Sequence, residues 1–185
     1  VAGLVILIVS AAGTGEAVRV VSFTIYGSML ILLYLFSCLY HSLSFTSAKK
    51  IFKIFDHSCI YLLIAGTYTP LCLVTVGGWR GWTIFGVIWG LAIIGVLYKS
   101  IWMGKFKKLS TTIYIAMGWF CIIDIKEFYE GLGAKGFGLL LSGGVAFTVG
   151  AAFYSLKNIR FMHVLWHFFV ILGTILMYFA ILFYA

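Results

Sequence analysis

The chain has 185 residues, 63% hydrophobic and 10% charged, with a mean hydropathy of +1.12. A soluble domain is about 45–50% apolar and about 25% charged, so a single soluble core is excluded and an all-α, polytopic membrane protein is expected. The formal net charge of +8 reads as loop topology and contact with anionic lipid; without a soluble basic domain, nucleic acid is excluded as a partner.

Seven apolar stretches succeed one another, at residues 1–12, 19–45, 55–76, 82–98, 109–123, 136–156 and 161–185. A spanning helix needs about 20 residues. The first stretch would cover about 18 Å of a core about 30 Å thick, and the chain begins at Val1 without an initiator Met. Earlier residues are therefore expected to complete the first helix. The second stretch carries Ser37 and His41 in SCLYH, four apart and so on one helix face. The third opens on Asp56 and His57 and contains Pro70 in GTYTPLC. Proline lacks an N–H and its ring presses on the carbonyl four residues back, at Gly66, so a kink is expected, with Thr67 and Thr69 available to the freed backbone.

Gly86 and Gly90 form G-x-x-x-G in the fourth stretch, and Gly143 and Gly144 lie in the sixth. Both sets read as close helix contacts. The fifth stretch is short and must borrow from its flanks. The seventh carries His163 and His167 in HVLWH, again four apart. Cys38, Cys59, Cys72 and Cys121 form no C-x-x-C pair and read as packing residues. Trp79, Trp82, Trp89, Trp102, Trp119 and Trp166 read mostly as an interfacial belt. With no linker or internal repeat, residues 1–185 are expected to form one domain.

Basic residues set the orientation. Lys49, Lys50, Lys53, Lys99, Lys105, Lys107, Lys108, Lys157 and Arg160 fall on one side of the seven-span pattern. Arg19, Arg80, Lys126 and Lys135 fall on the other, with Glu16, Asp124, Glu127 and Glu130. The positive-inside rule puts the first group in the cytoplasm. The N-terminus is then cytoplasmic and the C-terminus external, in the plasma (inner) membrane.

In that topology His41, Asp56, His163 and His167 come to about one level, roughly 5–10 Å below the cytoplasmic interface. Ionisable groups inside spans cost about 2.5–3.5 kcal/mol unless paired or hydrated, and so mark function. Three imidazoles and a carboxylate on separate helices are the ingredients of a zinc site with one position open to water. Asp56 is the acid at that depth, and Ser37, one turn from His41, has a hydroxyl to donate. Blander readings stand beside this one. The histidines can be satisfied core residues, Asp56 a helix N-terminal carboxylate stabilised by the macrodipole and Lys53, and Ser37 a packing serine. His57 points about 100° from Asp56 and reads as a residue orienting a ligand from behind.

The segments SCLYHS, FDHSCIYLLIAGTYTP and HVLWHFFVILG together resemble the hemolysin III branch of the progestin and adipoQ receptor family, over essentially the full length. The resemblance implies a seven-helix bundle with an intramembrane zinc near the cytoplasmic side, held by His41, His163 and His167. It also implies Asp56 and Ser37 beside the metal's water. The wider group includes alkaline ceramidases, which points to hydrolysis of a lipid amide or ester. The short loops look like a bacterial member and not an animal receptor.

Four functions are compatible with these residues. The first is a zinc-dependent membrane hydrolase acting on a ceramide-like lipid, and the second a lipid receptor or homeostasis protein with structural zinc and a fatty-acyl ligand. The third is a pore-forming cytolysin, against which the lack of a polar-lined amphipathic helix counts. The fourth is a bis-histidine haem protein.

Overall fold

The computed structural model describes residues 1–43, 45–101, 107–155 and 161–185, without the side chains of 107–109. Trp102, Lys105, Lys157 and Arg160 lie outside the described residues, as do the side chains of Lys107 and Lys108. The described elements are all helical, as the composition predicts. They are α1 (Ala2–Ala12), α2 (Ala17–Ser42), α3 (Lys49–Pro70) running into a π-helix (Leu71–Val76), and α4 (Gly78–Ile101). Then come α5 (Lys107–Gly118), a short 3-10 helix (Phe120–Asp124), α6 (Ile125–Ser155) and α7 (Met162–Tyr184). Two compact units divide them, Val1–Lys107 and Lys108–Ala185.

In the first unit α2 and α3 are antiparallel neighbours. A Cβ on Gly66 would lie 2.8 Å from Met29 and 3.6 Å from the Tyr26 Cα. Farther along, the Phe36 and Phe55 rings stack with centroids 4.8 Å apart. Beyond Pro70 the helix widens to a π-turn in which the Gly77 N–H donates to the Cys72 carbonyl at 2.9 Å. The missing proline N–H breaks the regular ladder there, and one extra residue per turn restores backbone pairing. The hydroxyls of Thr67 and Thr69 donate to Leu63 and Ala65, each at 2.8 Å, and not to the Gly66 carbonyl expected to need them.

Gly77 and Gly78, at φ 65° and 54°, then turn the chain into α4. Only glycine holds such angles without a Cβ clash. The buried stripe of α4 is Gly81, Ile84, Ile88, Ala92, Gly95 and Lys99. Gly81 lies against the Cys72 carbonyl and Gly95 against the Tyr61 ring. The expected G-x-x-x-G contact is not there: a Cβ on Gly86 or Gly90 would meet open space. The seam lies about half a turn away, on a face equally apolar. Lys99, assigned from the sequence to a cytoplasmic loop, is 5% exposed because it continues this stripe; a lysine stem packs on apolar surface while its amine reaches for polar partners.

In the second unit the Trp119 Nε1–H donates to Thr148 Oγ1 at 2.9 Å, and Thr148 donates to the Gly144 carbonyl at 2.8 Å. A straight helix would hold residues 119 and 148 about 43 Å apart, so the chain reverses between them. Gly133, at φ 65° and ψ 173°, is the non-helical point on that path. The 46-residue apolar segment Ser110–Ser155 is therefore a helical hairpin. Gly143 packs on Met177 of α7 and Gly144 lies 3.7 Å from the Trp119 ring, the close contacts expected of that pair.

Among the described residues five segments are long and apolar enough to cross a bilayer: α2, α3 with its π-turn, α4, Ser110–Ser155 and α7. The α1 helix has 11 residues and falls short of a full crossing by itself. Exposed Val164, Phe168, Ile171, Ile175 and Phe179 on α7, with Val87, Leu91 and Ile94 on α4, are faces for lipid, not water. Trp79 and Trp82 are 75% and 60% exposed, as in an interfacial belt. Trp89 and Trp119 depart from that expectation, because each spends its N–H on a threonine of a neighbouring helix: Trp89 Nε1 donates to Thr69 Oγ1 at 3.0 Å.

Candidate metal centre

In the second unit α7 begins abruptly. Phe161 precedes it at φ 68°, the one non-glycine residue with positive φ among the described residues. Helical geometry then starts at Met162, which puts His163 and His167 in the first two turns. Their Nε2 atoms are 3.2 Å apart and their rings stand at 87°. Two zinc ligands at about 2.0–2.1 Å in tetrahedral geometry are separated by about 3.3–3.4 Å. The pair therefore fits adjacent corners of a tetrahedron. The same distance suits a hydrogen bond between neutral imidazoles, one donating and one accepting. Tyr154 flanks the pair, 6.3 Å from the His163 ring and 5.4 Å from that of Trp166.

In the first unit Ser37 and His41 lie in the last turns of α2, Ser37 half-buried and His41 exposed on its unit. Phe36 stacked on Phe55, together with Gly66 against Tyr26, fixes the α2–α3 register. By that register Asp56 faces residues 35–36 of α2, within about 3 Å of the level of Ser37 and roughly 8 Å, about one and a half turns, from that of His41. This refines the single layer expected from the sequence. The side chain of His57 turns to Asp56, with Nδ1 3.2 Å from Oδ2, at ion-pair distance though off the alignment of a hydrogen bond. Both side chains are 16% exposed.

Within their own units, then, the fold brings His163 to His167 and Asp56 to His57, and sets Ser37 near the level of Asp56. Two aromatic neighbours escaped the sequence reading. Tyr40 has its ring 4.8 Å from that of His41 and 6.4 Å from that of His57. Tyr154 is the other. Tyr40 adjoins His41 in SCLYHS and was visible as a neighbour, whereas nothing in the sequence ties Tyr154 to α7.

A family described as Haemolysin-III related matches residues 1–178. Hemolysin-3 of Bacillus cereus is 50% identical over 182 residues, which are 98% of this chain and 83% of that protein. A Hemolysin-3 homolog of Bacillus subtilis (strain 168) is 46% identical over 98% of this chain and 85% of its own length. The monocyte to macrophage differentiation factor of Homo sapiens is 26% identical over 85% of this chain and 67% of its own. No solved structure matches.

Proposed function

Because this chain belongs to the Haemolysin-III related family of integral membrane proteins, we propose that it is a single seven-span domain that hydrolyses an amide or ester of a membrane lipid with the help of zinc. His41, His163 and His167 would hold the ion; three neutral imidazoles are a donor set able to do so. The single observation that carries the reading is the His163–His167 pair, with its nitrogens 3.2 Å apart at ligand spacing. The N-terminus is cytoplasmic in this reading, with the site toward the side rich in lysine.

Zinc bound there would supply Lewis acidity toward a lipid carbonyl. The protein's own groups do the rest. Asp56 accepts a proton from the attacking water and returns it to the leaving amine or alcohol, so that a C–O bond forms, the scissile bond breaks and no charge is left over. Ser37, near the level of Asp56, donates its hydroxyl to the oxygen that gains negative charge.

The test pairs metal analysis with turnover of a fluorescent short-chain ceramide in micelles. Wild type should carry about one zinc per chain, lost in His163→Ala and His167→Ala together with hydrolysis. A zinc-free wild type that still cleaves the probe ends this mechanism. Zinc without hydrolysis on any lipid amide or ester moves the protein to a receptor with a structural ion. The printed name of the bacterial relatives favours a second reading, membrane lysis. It predicts zinc-independent dye leakage from liposomes, and the apolar outer faces of α4 and α7 offer such a pore no polar lining.

A further inference from the structure

Asp56, His57, Tyr40 and His41 form a train of contacts within the first unit. The Asp56 Oδ2 to His57 Nδ1 distance is 3.2 Å. The His57 ring meets the Tyr40 ring edge-on at 84°, and Tyr40 meets His41 at 60°. Neighbours on a helix diverge by about 100°, so Asp56 and His57 do not touch by default, yet their side chains come to 3.2 Å. A half-buried carboxylate can otherwise rotate among several orientations, and a proton acceptor works only from one of them.

We propose that His57 is a positioning residue for Asp56. Its Nδ1 stands against one carboxylate oxygen at ion-pair distance, and the Tyr40 ring packs at a right angle to the imidazole, so that the carboxylate stays fixed near the level of Ser37. The inference rests on the proton-transfer role of Asp56 given above. It adds a function for His57 and Tyr40, neither of which touches metal or substrate in that scheme.

The contact atom makes a sharp test possible. An asparagine amide nitrogen superposes on histidine Nδ1, whereas a glutamine amide nitrogen superposes on Nε2. In the full-length, zinc-loaded protein, His57→Gln should lower kcat on the fluorescent ceramide by about 10- to 100-fold with KM and zinc content unchanged, and His57→Asn should restore most of it. Tyr40→Leu should lower kcat in the same direction and Tyr40→Phe should not. A packing role predicts the reverse order for His57, since glutamine fills more of the space. His57→Gln as active as His57→Asn, or both equal to wild type, overturns the proposal.

Side-chain 15N NMR of the labelled protein provides the independent readout. The His57 ring should be protonated at Nδ1, and that resonance should move in Asp56→Asn. Should wild type cleave no ceramide, the hydrolase reading fails and the NMR result decides this one. A His57 ring protonated at Nε2, and indifferent to Asp56→Asn, overturns it.

Discussion

Replacing Gly81 by alanine should destabilise the protein, while the same replacement at Gly86, five residues further along α4, should not. At Gly81 the new Cβ runs into the carbonyl oxygen of Cys72, with the carbonyl carbon at 3.1 Å. These are backbone atoms of the π-turn, so no rotamer change relieves the overlap and α4 must back away from α3. Overpacking of that kind costs about 1–3 kcal/mol. Alanine also gains about 1 kcal/mol over glycine in a helix interior, and that gain is common to both variants. At Gly86 it is the whole effect, because the Cβ meets nothing within 4 Å. The two variants should therefore differ by about 1–3 kcal/mol, with Gly86→Ala at or above wild type. Reversible unfolding in mixed micelles measures this directly. Equal stabilities for Gly81→Ala and Gly86→Ala would refute the assigned α3–α4 seam, and a larger loss at Gly86 would restore the G-x-x-x-G contact expected from the sequence.

Three further outcomes are expected from the packing and the proposed site. Thr148→Val removes the acceptor of the Trp119 N–H and should cost about 0.6 kcal/mol, at most about 1.7; a double-mutant cycle with Trp119→Phe should be non-additive, and strict additivity would dissolve the α5–α6 hairpin contact. Asp56→Asn should keep zinc at wild-type content and lower hydrolysis by about 10²- to 10⁴-fold, and loss of the metal in that variant would make Asp56 a ligand. Phe161→Gly relieves a left-handed backbone angle of 68° worth about 1–2 kcal/mol, offset by about 0.5–1 kcal/mol of glycine entropy. Its unfolding free energy should stay level or rise, and a clear fall would show that the Phe161 side chain itself anchors α7.

Composition and spacing alone determined that the chain is helical and lives in a membrane, and the i,i+4 intervals placed His163 with His167 and Ser37 with His41 on shared faces. Those conclusions need no partner: a bilayer dictates segment length, and helical periodicity dictates which residues of one segment meet. What tertiary structure decided is which face of each helix packs, and therefore which polar groups from different helices touch. In water a buried face is apolar and an exposed one polar, so the pattern reveals the seam. Here Ile84, Ile88 and Ala92 of the seam differ little from exposed Val87, Leu91 and Ile94, since lipid is as apolar as a protein interior. Hence Gly86 looked like a contact and Gly81 did not, and the Trp89–Thr69 and Trp119–Thr148 bonds and the place of Tyr40 between His41 and His57 emerged only from the packed helices.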